Sequence, residues 1–266
     1  MPVVFDHAPL IEIAAEIKWV PGDFFTSASS PGGSIGLLDL VKCEEFFRRA
    51  LIALNGIGFT SSERLIPQGF PVGVQQPVYR HRTDGGAKVL QVGIGLISAN
   101  ALPPYQSWSQ FEQSLGPGLS TTIEVAKSFG DMQFFNSVTL RYIDAFRPEH
   151  TGGLESAKFM RDVLKIHPGL PPAITKYVNP MEPVHATMQA RVSTLDGLLL
   201  TVGVGEGLAS GIPALLFETG LASQKPVQAD GVTVLALLRQ QHDILHEMFF
   251  ELIRPIFEQL GPRDIP

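Results

Sequence analysis

The stretch at residues 90–103, LQVGIGLISANALP, returns at 200–213 as LTVGVGEGLASGIP, and this recurrence constrains the fold more than any other feature of the chain. Leu90/Leu200, Val92/Val202, Gly93/Gly203, Ile94/Val204, Gly95/Gly205, Ala99/Ala209, Leu102/Ile212 and Pro103/Pro213 correspond at one offset without a gap. A strand repeated so closely points to a chain built twice over, so the surroundings of one copy are expected around the other.

The flanking patterns follow that expectation. Ile11, Ile13, Ala15 and Ile17 alternate with Glu12, Ala14, Glu16 and Lys18, the period-two signature of a strand with one wet face, which Trp19 closes. Residues 26–33, TSASSPGG, are small and turn-forming and read as a mobile loop, a candidate lid. Asp39 can cap a helix over 40–54 that Asn55 and Gly56 stop. Strands are expected at 62–67, 72–81 and 88–102, the last two joined through Asp84-Gly85, and a helix starts at Ser107, breaks at Gly116-Pro117-Gly118 and resumes to 129. The second half opens on an aromatic and β-branched strand at 134–146, followed by a helix over 154–166. Strands follow at 175–178, 184–193, 198–204 and 214–221, with Asp196-Gly197 turning a hairpin, and the chain closes on a helix over 233–260 kinked at Pro255.

Each half therefore runs strand, helix, three or four antiparallel strands, helix. The expected fold class is α+β: two tandem pseudo-symmetric β-α-β(3-4)-α repeats, 1–130 and 131–266, packed as one compact unit with one largely antiparallel sheet and helices on one face. The element order resembles that of the TATA-binding-protein saddle and of the helix-grip arrangement. That resemblance is one of order alone and brings no DNA binding with it.

Composition narrows the function classes. A formal charge of -6 without a basic run disfavours nucleic acid, whose phosphates demand clustered Lys and Arg. Cys43 is the sole cysteine, which excludes an internal disulfide and a cysteine-based metal cage and fits a reducing compartment. Acidic residues interrupt the N-terminus, and no apolar run reaches the roughly 18 residues of a membrane span, so a soluble cytoplasmic protein is expected.

Candidate chemistry is sparse. GVGEG at 203–207 invites a dinucleotide-loop reading, but Leu208 stands where the third glycine belongs and Pro213 with a strand-like run replaces the helix. A structural glycine role is favoured, and no cofactor is indicated. His242 and His246, four apart on a helix, share a face suited to a metal, yet the HExxH order is absent and a polar helix face is the favoured reading. Arg141, Tyr142 and Asp144 lie on a central strand, with Arg141 on one face and Tyr142 and Asp144 on the other; they line a sheet-face groove or meet partners such as Glu12 and Glu16. Tyr105 and Trp108 follow a double proline and form an aromatic contact surface or anchor a helix start. No G-x-S-x-G elbow appears, and Cys43 lacks a basic neighbour.

Pro9-Leu10-Ile11-Glu12, LQVGIGLISANALPPYQSW at 90–108, LRYIDAF at 140–146 and HDILHEMFFELI at 242–253 together resemble a sporadically distributed family of uncharacterised bacterial proteins of about 250 residues. The resemblance spans nearly the whole chain and implies a complete family member with no activity to borrow. Patchy distribution hints at a mobile-element, defence or toxin–antitoxin setting. The functional expectation is a non-enzymatic binding or protein-interaction protein, with a protein partner or self-association; the alternative is a small-ligand receptor or enzyme using the sheet face near Arg141 and Asp144.

Overall fold

The computed structural model describes all residues except 1–2, 31–32, 105–106, 168–169, 180, 183–184 and 265–266, and at 3, 27–30, 33–36 and 264 the backbone alone. In chain order the elements are β1 (Val3–Phe5), β2 (Leu10–Lys18), β3 (Phe25–Ser30), β4 (Gly33–Leu38), α1 (Leu40–Asn55), β5 (Ser61–Arg64), β6 (Tyr79–Arg82), β7 (Lys88–Gly93) and β8 (Leu96–Ala101). Then come α2 (Trp108–Lys127), β9 (Phe134–Phe135), β10 (Ser137–Phe146), the short α3 (Pro148–Thr151), α4 (Ser156–Asp162) and α5 (Pro172–Thr175), β11 (Met188–Ser193), β12 (Leu198–Ala209), β13 (Ile212–Ser223), β14 (Val227–Gln228), α6 (Gly231–Ile253) and β15 (Pro262–Asp264). Nine strands make a large antiparallel sheet in the order β11-β12-β13-β10-β2-β8-β7-β6-β5, which is the expected α+β class. Outward from β2 the order is β8, β7, β6, β5; outward from β10 it is β13, β12, β11.

The chain divides into two compact units, one of Met1–Glu12, Arg141–Leu221 and His242–Pro266 and another of Ile13–Leu140 and Ala222–Gln241. This partition differs from the halves 1–130 and 131–266: its boundaries cut through β2, β10, β13 and α6.

In the unit holding Ile13–Leu140, α1 and α2 pack together over β6, β7 and β8. Helix α1 buries Phe46, Phe47, Ala50 and Leu54 along one stripe, and Asp39 caps it by accepting from the Lys42 amide at 3.0 Å. Helix α2 runs through Gly116-Pro117-Gly118 unbroken, contrary to the expected break. The helix survives because Leu115, Leu119 and Ile123 are fully buried, and this offsets the roughly 3 kcal/mol that an interior proline costs. The glycines serve close packing: a Cβ on Gly118 would meet the Phe59 ring at 2.9 Å.

Residues 88–102 form not one strand but a hairpin, β7 and β8, turning at Ile94-Gly95, where Gly95 has φ +80. Residues 72–81 yield only β6, because Pro71 and Pro77 supply no ladder donors. The expected loop at 26–33 is largely a hairpin: β3 pairs with β4 from Phe25↔Leu38 to Ser30↔Gly33, and 31–32 lie outside the described residues. Small side chains lower β propensity without preventing a tightly registered two-strand ladder.

In the other unit, Phe146, Phe159, Leu164, Val204, Leu215, Phe217 and Ile253 gather β10, α4, β12, β13 and α6 around one core. Strand β1 pairs with β15, and Phe5 packs on Phe249, Phe250 and Phe257 at ring distances of 5.5–6.5 Å. Residues 175–178 are not a strand, since Pro171-Pro172 preset the first turn of α5. The closing helix ends at Ile253 and tightens into a 3-10 turn over Arg254–Leu260, where Pro255 removes a donor.

The repeated stretches are not equivalent in register. Gly93 and Gly95 sit at the tip of the β7–β8 hairpin, whereas Gly203 and Gly205 lie inside β12, and the β12–β13 hairpin turns later, at Ser210-Gly211. The two stretches match in sequence without a gap, but their residues occupy different places in their hairpins.

Candidate functional site

The groups singled out on β10 separate. Arg141 reaches Glu218 on β13, Nη1 to Oε1 at 3.3 Å. Tyr142, on the opposite face, hydrogen-bonds His242 Nδ1 of α6 at 2.7 Å. Asp144 shares the Tyr142 face and is only 2% exposed; burial pushes its carboxyl up to about 8, so it is neutral at neutral pH. His242 is pushed down to about 4, first by burial and then by the neighbouring His246, whose ring lies 5.3 Å away and which is itself lowered by burial. His242 therefore meets the Tyr142 hydroxyl as a neutral imidazole. That hydrogen bond joins β10 to α6.

Metal binding finds two imidazoles at this point and no more: among the described residues, no group of three or more His, Cys, Asp and Glu could hold an ion. A structural or catalytic zinc takes three or four protein ligands. Trp108 belongs to the other unit, where its ring stacks on Phe111 at 4.9 Å at the start of α2; Tyr105 lies outside the described residues. Cys43 is buried, and desolvation first, then Asp39 and Glu44, raise its thiol to about 11, far from a working nucleophile.

Two features escaped sequence reasoning in the unit holding Ile13–Leu140. Ser62 Oγ lies 2.8 Å from His81 Nδ1, but His81 is fully buried, is pushed down to about 4 by burial, and has no partner for Nε2 among the described residues. Without a carboxylate to orient the ring, this pair does not reproduce a catalytic triad. A cleft of about 300 Å³ lies among Trp19, Asp23, Phe24, Asp131, Met132, Phe134 and Asn136, at the lower limit for small-molecule pockets.

Strand β11 is a terminal strand of the sheet. Apart from half-buried Met188, every residue of this six-residue strand is exposed. Its side chains alternate cleanly: Met188, Ala190 and Val192 lie across from Val204, Val202 and Leu200 of β12, while Gln189, Arg191 and Ser193 occupy the other face. Val192 is 56% exposed although its face continues toward the core cluster that Met188 and Val202 touch. The connection that precedes β11 is exposed at each of residues 170–179, including Ile174 and Tyr177, the latter at 79%. Arg191 has no ion-pair or hydrogen-bond partner among the described residues.

The other terminal strand, β5, is guarded. It is four residues long, Arg64 binds Glu44 through both terminal nitrogens at 2.9 and 2.7 Å, and Glu63 pairs with Arg80 at 3.5 Å. Short, charged edges resist further pairing; long edges with an apolar row invite it. Sequence patterning could have found the alternation at 188–193 but not that this strand ends a sheet.

No helix among the described residues is long and apolar enough to cross a membrane. Comparison with protein-family models, curated proteins and solved structures returns no match.

Proposed function

We propose that this chain is a non-enzymatic interaction protein that binds polypeptide along the outer edge of β11. The observation that carries the reading is the strand itself: six residues with an apolar row on one face, exposed from Gln189 to Ser193 and open at the edge among the described residues. An added strand satisfies the row of outward backbone groups and covers Val192 and its neighbours, so main-chain hydrogen bonds give affinity and the apolar row gives selectivity. The chemistry on the other face of β10 supports the same reading: the Tyr142–His242 hydrogen bond joins β10 to α6, and burial favours the uncharged forms of His242 and Asp144. An accessory role in a bacterial defence or toxin–antitoxin-like system is the setting that the family resemblance implies.

The test is to purify the tagged full-length chain from its native host and measure the native mass of what it brings with it. The expected result is a stoichiometric protein companion, with a mass above the 28.9 kDa of one chain. The variant Val192→Lys, which places a solvated charge on the exposed row, returns the mass to one chain. A bare single chain carrying a retained metabolite overturns the proposal in favour of a ligand receptor.

A further inference from the structure

We infer that the strand which completes β11 is the β11 of a second copy of this chain, paired antiparallel about a twofold axis through Ala190. This rests on the reading of β11 as a protein-binding edge and names its occupant. Across an antiparallel pair, residues directly opposite each other share a face of the sheet, and a slip of one residue exchanges the faces. A twofold axis normal to the sheet keeps each face on its own side, so the apolar row of Met188, Ala190 and Val192 meets the apolar row of the second copy and the polar row of Gln189, Arg191 and Ser193 meets its polar row.

Centred on Arg191, the pairing opposes two guanidinium groups, which destabilises the pair. Centred on Gln189, it shortens the ladder by shifting Arg191 and Val192 off the end of the second strand. Centred on Ala190, it opposes Ala190 to itself, Met188 to the second copy's Val192, and Gln189 to the second copy's Arg191. All five positions from 188 to 192 are then paired, apolar meets apolar, and Arg191 gains an amide acceptor where the single chain offers it none among the described residues. The small Ala190 at the axis lets the two backbones approach without a steric obstacle. No heterologous partner is needed to account for the pattern, since the strand is complementary to its own reverse.

Site-directed cross-linking on the full chain tests the register. Residues directly opposite in an antiparallel pair have Cα atoms roughly 4.5–5.5 Å apart, within disulfide reach. The two copies of position 192 are offset by four residues, about 13 Å at the rise of a strand, beyond reach. Ala190→Cys is therefore expected to form a covalent dimer under mild oxidation, and Val192→Cys to remain a single chain. A mixture of Met188→Cys and Val192→Cys proteins is expected to cross-link to each other. Cys43 stays out of the reaction because it is buried with its thiol near 11. Sedimentation equilibrium of the unmodified chain reads the same association without a covalent bond, with the expected mass twice that of one chain. Circular dichroism confirms that each variant is folded. A chain that stays single at every concentration, with no cross-link at 190, overturns the inference, as does equal cross-linking at 190 and 192. If that result coincides with a foreign companion that Val192→Lys releases, the second copy is refuted while the binding edge itself stands; if no companion exists either, both fall.

Discussion

Replacing Gly93 and Gly203 by alanine separates the two copies of the repeated stretch, and the structure sets the size of the difference. A Cβ on Gly93 would stand 2.0 Å from the carbonyl oxygen of Gln76 and 2.8 Å from its carbonyl carbon. That backbone cannot easily yield, because Gln75 donates to the Ile94 carbonyl at 2.7 Å and Val78 to the Val92 carbonyl at 2.9 Å on either side of it. Overpacking against fixed atoms costs about 1–3 kcal/mol, and loosening one of those hydrogen bonds adds about 1 kcal/mol. The reduced entropy of the unfolded chain returns about 0.4–1 kcal/mol, so Gly93→Ala is expected to lose roughly 2–3 kcal/mol. At Gly203 the nearest atom to a Cβ is Glu218 Cβ at 3.7 Å, ordinary van der Waals contact. Gly203→Ala is therefore expected to be neutral or to gain up to about 1 kcal/mol, as glycine inside a strand usually does on replacement. Equilibrium urea unfolding followed by far-ultraviolet circular dichroism measures both. Losses that agree within about 0.5 kcal/mol would refute the argument that the repeated glycines occupy different environments.

The remaining predictions concern buried groups. Asp144 holds a proton in the folded chain that the unfolded chain releases above its ordinary value of 3.8, so its contribution to stability is full below that value and is lost as pH rises towards about 8. Asp144→Asn is expected to flatten this part of the stability–pH curve, as urea midpoints across the range will report; an unchanged slope contradicts the burial argument. Gly118→Ala is expected to lose about 1–3 kcal/mol against the Phe59 ring, while Pro117→Ala, at an exposed site in the same helix, gains stability by restoring a donor; thermal unfolding of the two variants checks the opposite signs. The Cys43 thiol, raised to about 11, is expected to resist iodoacetamide at pH 8 until the chain is unfolded, and rapid alkylation of the native protein counts against its buried placement.

Much of the fold was legible because local pattern and tertiary role agreed. The alternation through Ile11, Ile13, Ala15 and Ile17 gave β2, Asp39 gave the start of α1, and the aromatic run before Phe146 gave β10. Errors arose where a residue type has two uses. Gly93 and Gly95 occupy a hairpin tip in one copy, and their counterparts lie within a long strand in the other, a distinction that depends on Ser210-Gly211 supplying the later turn. Gly116 and Gly118 resemble helix breakers, yet Gly118 admits the Phe59 ring, and Gly116 lies against Leu235 at ordinary contact distance. The site was less legible still. Tyr142 and His242 are a hundred positions apart and meet only through the packing of β10 on α6. Alternation at 188–193 was visible, but no local signal states which strand of a sheet lacks a neighbour.

Amide hydrogen exchange of β11 and β5 on the full chain tests the central claim most directly, taken once in its associated form and once after dilution to single chains. A strand added at β11 protects the outward amides of residues 188–192 only in the associated form, while the amides of Ser61–Arg64 exchange alike in both. Equal exchange of the β11 amides in the two forms, or protection that appears at β5 instead, contradicts the account.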